Sequence, residues 1–167
     1  MNDETATLLF DVVERLEKSI ISRDCPAIVL LDGHRKLALS DYDYLRDTAT
    51  ATAFEERAAA KAREIDAPRW VLAVPQVWVI RPDRVSTRPV SNHPLSEGEH
   101  EAITWMSFDQ AEGVDYGRVL YTRRPNGEPI FAEPELFTVG VQPTPKTPGF
   151  VLLTSFLGDV ASENEGG

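Results

Sequence analysis

The chain has 167 residues, 42% of them apolar and 26% charged, a composition typical of a globular domain that needs no disulfide or metal to fold. Its formal net charge of −10 argues against a nucleic-acid partner, because that affinity comes from the neutralisation of phosphates by Lys and Arg. The single cysteine, Cys25, excludes an internal disulfide, and the lack of both a basic leader and an apolar run of membrane-spanning length predicts a cytoplasmic protein without a membrane partner.

The first predicted element is an amphipathic helix over residues 4–21. Leu8, Val12 and Leu16 recur every four residues, and charged side chains occupy the opposite side. We expect this apolar stripe to pack on a β-sheet. The alternative is that the stripe docks the helix of a partner.

A β-hairpin and a second, longer helix are predicted next. Asp32-Gly33 separates two short apolar runs and predicts the turn of the hairpin, since glycine tolerates a positive φ. Thr52 and Glu55 form a Thr-x-x-Glu capping box, which predicts that the helix begins there. The helix should end before Pro68, because the residue ahead of a proline is pushed away from helical angles.

The segment 70–80, WVLAVPQVWVI, predicts the central strand of the sheet. Both of its alternating faces are apolar, which is typical of a strand covered on both sides, and Trp78 is accordingly assigned to the core. Pro75 cannot donate a ladder hydrogen bond, so we expect a bulge or a local exit from pairing at that point. A break there would also open a pocket beside Gln76.

The rest of the chain predicts a run of short strands. The expected strands cover residues 85–90, 103–108, 116–122, 129–132 and 136–141. Ser96 and Glu99 form a second capping box, which predicts a short helical turn. We further expect an extended proline-rich connector at 142–148, a strand or short helix at 150–157 and a disordered acidic tail at 158–167. The predicted fold is therefore a single α+β domain over residues 1–157, a mostly antiparallel sheet with the two helices packed on it.

The sequence carries no signature of a cofactor or a metal. Walker loops, dinucleotide fingerprints, Cys-x-x-Cys motifs and Gly-x-Ser-x-Gly elbows are all absent. His93 and His100 are seven residues apart, and Pro94 separates His93 from any common helix, so we expect solvated side chains there and not metal ligands. We therefore predict no cofactor and no bound metal.

The most suggestive chemical feature is the distribution of arginine. Residues 1–67 and 125–167 each carry a net charge of −5, whereas residues 68–124 are neutral and all their positive charges are arginines. If the two arginine-bearing hairpins are neighbours in the sheet, their guanidinium groups converge on a face that suits carboxylate or phosphate. The candidate ligand-binding residues are Arg81, Arg84, Arg88, His93, Tyr116, Arg118, Tyr121, Arg123 and Arg124. The alternative is that neighbouring acids neutralise these arginines.

Two classes of function fit these observations. The absence of a recognisable nucleophile–base pair favours a non-enzymatic protein-interaction or regulatory module, whose partner is another protein or a second copy of the chain. The alternative is a protein or enzyme that binds a small anionic ligand, with His93, Asp115 or Tyr116 as acid or base. That alternative predicts that at least three of the six arginines and a histidine or tyrosine line one cavity, whereas the module predicts filled concavities and a flat apolar patch.

Overall fold

Three helices and eight strands form the fold in a computed structural model that describes residues 1–90, 94–137 and 144–165. The helices are α1 (Asp3–Ile21), α2 (Thr48–Glu64) and α3 (Phe150–Glu165). The strands are β1 (Ala27–Asp32), β2 (Lys36–Asp41), β3 (Arg69–Ile80), β4 (Val85–Arg88), β5 (Glu99–Asp109), β6 (Gly113–Arg123), β7 (Pro129–Phe131) and β8 (Glu135–Leu136). Every described strand pair is antiparallel, which confirms the α+β class.

The sheet is organised around β3, as its apolar sequence predicted. The strand order is β2-β1-β3-β5-β6-β7, with β4 also beside β3 and β8 beside β6. Trp70 and Leu72 of β3 pack in a core with α2 and α3, whereas Val71 and Ala73 pack in a second core with α1. Helices therefore cover this part of β3 on both sides, which excludes water from an almost continuous apolar run.

Pro75 marks the point where β3 changes its partner along one edge. There β1 pairs with residues 69–73 of β3 and β4 pairs with residues 77–80. On the other edge β5 pairs with residues 69–79 without interruption. Pro75 lies in the gap between β1 and β4, where β3 has a strand on only one side, so a residue without an N–H is tolerated. The predicted exit from pairing is therefore confirmed on the edge that faces β1 and β4 only, and the unbroken register with β5 shows no bulge.

Gly33 closes the predicted hairpin, but for a reason other than the expected one. It is absent from the glycines with positive φ. A Cβ at this position would instead collide with the carbonyl oxygen of Ile65, just after α2. The N–H of His34 donates to the same oxygen at 2.9 Å. The glycine is therefore required for the close approach of the hairpin to the end of α2.

Helix α2 starts earlier than the capping box predicted. Asp47 is the N-cap, and its carboxylate accepts a hydrogen bond from the N–H of Thr50 at 2.7 Å. The helix has 17 residues and α1 has 19. Because the helix has already begun at Thr48, Glu55 is free for another role.

Glu55 holds helix α3 in place. Its side chain is buried, accepts the hydroxyl of Tyr44 at 2.6 Å and accepts the N–H of Leu152 in the first turn of α3 at 3.1 Å. Burial raises the pKa of Glu55, although these hydrogen bonds oppose the rise. The carboxylate thus caps α3 from a distant helix and satisfies a backbone donor that would otherwise lie orphaned in the core.

Arg69 and Asp109 join α1 to the sheet. The guanidinium of Arg69 contacts Glu4 at 2.6 Å, Asp32 at 3.1 Å and Asp109 at 3.3 Å. Asp109 also accepts hydrogen bonds from the side chains of Asn2 and Thr5 and from the N–H groups of Ala111 and Glu112. Burial alone would raise the pKa of Asp109, but these donors and Arg69 together lower it to about 2.

The C-terminal part of the chain differs most from the predictions. Helix α3 continues to Glu165, through residues expected to belong to a disordered tail, and residues 145–149 form turns in place of an extended connector. The N–H of Ser96 donates to the carboxylate of Glu99 at 2.7 Å, as in a capping box, but the chain enters β5 there and no helical turn forms. Most of the strand predicted at 136–141 lies outside the described residues. Within the described parts, none of the helices has both the length and the apolar character that crossing a membrane requires.

Candidate functional site

The two arginine-bearing hairpins are not neighbours, because β3 and β5 lie between β4 and β6. Arg88 of β4 and Arg123 of β6 nevertheless line the same open cleft, of about 750 Å³, beyond the C-terminal end of α1. Arg23, His100 and Tyr121 also line this cleft. Two of the six predicted arginines meet there, together with Arg23, which was not among the candidates.

The register of the sheet explains why Arg88 and Arg123 meet. Val77 of β3 lies opposite Arg88 on one side and Glu101 on the other, and directly opposed residues in antiparallel strands share a face. Arg88 and Glu101 therefore lie on the α1 side of the sheet. Tyr121 belongs to the core on that side, and Arg123, two residues further along β6, shares its face.

Arg88 and Arg123 each form a two-point ion pair with a glutamate of β5. Arg88 contacts Glu99 at 2.7 Å and 3.3 Å, and Arg123 contacts Glu101 at 2.8 Å and 3.2 Å. Their remaining terminal nitrogens donate to backbone carbonyl groups, that of Pro89 at 3.1 Å for Arg88 and that of Gly127 at 2.9 Å for Arg123. Both guanidinium groups therefore already have carboxylate partners within the protein.

The ion pairs also fix the charge states in the cleft. The hydrogen bonds from Arg88 and from the N–H of Ser96 lower the pKa of Glu99 to about 2. The hydrogen bond to Glu101 raises the pKa of Arg123. Glu99 consequently stays ionised at physiological pH, so it is suited to neutralise Arg88 and unsuited to act as a general acid.

Tyr121 and Cys25 complete the wall of the cleft without forming a reactive pair. The ring of Tyr121 lies 5.1 Å from that of Phe131, and the guanidinium carbon of Arg123 lies 5.7 Å from its centre. The buried hydroxyl of Tyr121 has no hydrogen-bond partner within the described residues, and burial raises its pKa. Cys25 is half-buried, and burial raises the pKa of its thiol. Both groups are therefore protonated at neutral pH, and neither is an activated nucleophile.

Arg118 lies on the opposite face of the sheet. Its guanidinium contacts Glu135 at 2.8 Å and lies over the rings of Trp78 at 4.9 Å and Phe137 at 5.7 Å. Trp78, predicted to be core, is only half-buried, because α2 and α3 cover the half of this face that carries Trp70. Its Nε1 donates to the hydroxyl of Thr104 at 2.9 Å.

The other candidate residues are dispersed. Arg81 donates to the carbonyl oxygen of Glu97 at 2.8 Å, and Arg84 is exposed in the turn before β4. Exposed Arg124 lies 4.0 Å from Glu128, and Tyr116 is half-buried against the core that contains α2 and α3. His93 lies outside the described residues. Of the side chains that the structure describes, no group of three or more His, Cys, Asp or Glu is placed to hold a metal ion.

A second surface, the open edge of the sheet at β2, was not singled out by any motif. Strand β2 ends the strand order and pairs only with β1 among the described strands. The N–H of Gly33 donates to the carbonyl of Arg35 at 3.1 Å, so these two residues form a hydrogen-bonded pair. The next pair along the ladder, Asp32 and Lys36, is therefore one in which the two residues do not bond to each other. Pairs with and without such bonds alternate along an antiparallel ladder. The backbone N–H and C=O groups of Lys36, Ala38 and Ser40 therefore point away from β1.

Comparisons with known proteins leave both surfaces without a precedent. No model of a known protein family matches the chain, no curated protein matches it, and no solved structure matches it. The chemistry of the cleft and of the β2 edge is therefore the basis for a proposal about function.

Proposed function

We propose that this protein is a non-enzymatic interaction module that binds its partner along the open edge of β2. The observation that carries the proposal is the row of outward-pointing backbone groups at Lys36, Ala38 and Ser40, all of which are exposed. An extended segment that adds to such an edge gains main-chain hydrogen bonds, and its alternate side chains provide specificity.

The composition of β2 supports this proposal. Many natural sheets protect their edges with prolines, bulges or charges within the strand. Strand β2 pairs with β1 over all six residues without a bulge, contains no proline, and has charged residues only at its two ends. Leu37 and Leu39 are half-buried next to the α2 and α3 core, so an added strand would cover their remaining apolar surface.

Matched affinity purifications with the wild-type chain and an Ala38→Pro variant test the proposal. Proline removes one outward N–H, and no hydrogen bond to β1 is lost, because the N–H of Ala38 points away from that strand. We expect the wild type to retain a partner that the variant loses, and cooperative thermal unfolding of the variant to show that it is folded. A partner retained equally by both would contradict docking at this edge, and so would the absence of any partner, including a second copy of the chain, for the wild type.

A small anionic ligand in the cleft is a second candidate function. It is favoured by the gathering of Arg23, Arg88, Arg123 and His100 around one opening, whose size is typical of ligand sites. Thermal-shift measurements with phosphorylated and carboxylated metabolites test it. A ligand should raise the unfolding temperature of the wild type and of Arg118→Ala, which changes the opposite face, but not that of Arg88→Ala or Arg123→Ala. The absence of any shift in the wild type would exclude these two ligand classes.

A further inference from the structure

We infer that the partner of the β2 edge is β2 of a second copy of the chain, paired antiparallel across a two-fold axis. The inference rests on the proposed function and names its partner. Two copies of a single edge form an isologous contact, in which the same patch is used on both chains and must therefore be complementary to itself. The backbone and the side chains of β2 can be tested against that requirement.

The backbone allows one register that uses the whole edge. Symmetric antiparallel pairing in hydrogen-bonded register must place an outward-pointing residue opposite another one. Only the register that puts Ala38 opposite Ala38 brings Lys36 opposite Ser40 at both ends, so that all three outward-pointing residues form hydrogen-bonded pairs. A shift by two residues in either direction leaves one of the three without a partner. A shift by one residue places each outward-pointing residue opposite one whose backbone groups point towards β1, so no ladder of hydrogen bonds can form.

The side chains are compatible with that register on both faces. Ala38 is small and exposed, so two copies can face each other across the axis, and Lys36 would meet the uncharged Ser40. On the other face Leu37 would lie opposite Leu39 of the second copy, which covers two half-buried leucines in each chain. No like charges face each other directly.

The charge distribution near β2 also permits a second copy to approach. The chain as a whole carries a net charge of −10, which opposes self-association. Strand β2 itself is neutral, because Lys36 and Asp41 balance. The groove beside Ala38 is flanked by Asp11 and Arg15 of α1, which form an ion pair at 2.8 Å. The edge is therefore a locally neutral region on an acidic protein.

Charge-swap variants of the full chain test the inference. Light scattering of the wild type should give twice the chain mass of 18.6 kDa. Ala38→Glu and Ala38→Lys each place two like charges opposite one another, so each variant alone should be monomeric, whereas an equal mixture should restore the dimer. Ala132→Glu is the matched control, because Ala132 is an exposed alanine next to β7, at the opposite edge of the sheet from β2. This variant should remain dimeric. Thermal unfolding of each variant establishes that it is folded.

Each outcome separates the inference from the function on which it rests. A wild type that stays monomeric at high micromolar concentration overturns the inference, but docking at the edge stands if Ala38→Pro still loses a different protein that the wild type binds. A dimer that survives in Ala38→Glu lies elsewhere on the surface, which also overturns the inference. Failure of the mixture to restore the dimer contradicts the register. The register also predicts that hydrogen exchange of the Ala38 amide slows as protein concentration rises, because this N–H becomes hydrogen-bonded in the dimer.

Discussion

Replacing Asp109 with asparagine removes the charge that joins α1 to the sheet, and its effect can be worked out atom by atom. One carboxylate oxygen accepts hydrogen bonds from Asn2 at 3.1 Å, Thr5 at 3.2 Å and Arg69 at 3.3 Å. The other accepts the N–H groups of Ala111 at 2.8 Å and Glu112 at 3.1 Å. Donors surround both oxygens, so in either orientation of an asparagine side chain its NH2 group must face other donors, with which it cannot form hydrogen bonds.

The expected loss of stability follows from the ion pair and the hydrogen bonds that Arg69 and the other donors lose when the carboxylate is replaced. Breaking a buried ion pair by removing one partner costs about 3–5 kcal/mol, and each hydrogen bond to a charged group contributes about 1.5–3 kcal/mol. Arg69 keeps its contacts with Glu4 and Asp32, which places the loss near the lower limit. We therefore expect Asp109→Asn to lower the free energy of unfolding by about 3 kcal/mol at neutral pH.

The dependence on pH provides a second, independent measure. The pKa of Asp109 is lowered from 3.8 to about 2 in the folded protein, so its contribution to stability is complete above 3.8 and is lost as the pH falls towards 2. The difference in stability between wild type and variant should be constant near neutral pH and should shrink below about pH 4.

Urea unfolding, followed by the fluorescence of the buried Trp70 and Trp105, measures this difference across the pH range. Asp83→Asn, in an exposed turn, is the matched control and should stay within about 0.5 kcal/mol of the wild type. A loss below about 1 kcal/mol for Asp109→Asn at neutral pH would refute the reasoning, since even one charged hydrogen bond contributes more. So would a difference that persists unchanged at the lowest pH.

Three further substitutions probe contacts that position the helices. Gly33→Ala should lower the free energy of unfolding in urea by about 2 kcal/mol, because the added methyl group meets the carbonyl of Ile65, and an unchanged midpoint would contradict that contact. Gly158→Ala lies in a helix with open space around it and should instead raise the thermal midpoint, by up to about 1 kcal/mol in stability; a decrease would contradict the helix there. Glu55→Ala should cost about 3 kcal/mol in urea unfolding and speed exchange of the Leu152 amide, whereas an unaffected amide would show that Glu55 does not cap α3.

The parts of the fold that were predictable are those in which local pattern and tertiary environment agree. Helix α1 has a four-residue apolar period because a single face is buried, and β3 is apolar on both faces because helices cover both. Glu55 shows the opposite case. A Thr-x-x-Glu pattern is the same whether the glutamate caps its own helix or another one, and only the distant contact with Leu152 distinguishes the two.

The position of the candidate site depends on the face of the sheet on which each arginine lies and on the order of the strands. Only the first of these could be read from the sequence. Arg118 and Arg123 are an odd number of residues apart on one strand, and alternation alone places them on opposite faces. The odd spacing therefore already places Arg123, which lines the cleft, on the opposite face from Arg118, which lies over Trp78. The order of the strands was not accessible, because no local signal specifies that β3 and β5 lie between β4 and β6.

The neutral charge of residues 68–124 has a structural explanation in β5. Its acids bind arginines of three other strands: Glu99 binds Arg88 of β4, Glu101 binds Arg123 of β6 and Asp109 binds Arg69 of β3. The balance of charge in this third of the chain thus reflects pairing across the sheet. At Arg88 and Arg123 an incoming anion would have to displace a carboxylate that already binds the guanidinium in two-point geometry, and exchanging one such partner for another gains little free energy. Among the described residues the outward-pointing backbone groups of Lys36, Ala38 and Ser40 have no such partner to displace, which is the physical reason for placing recognition at the edge of the sheet and not over its arginines.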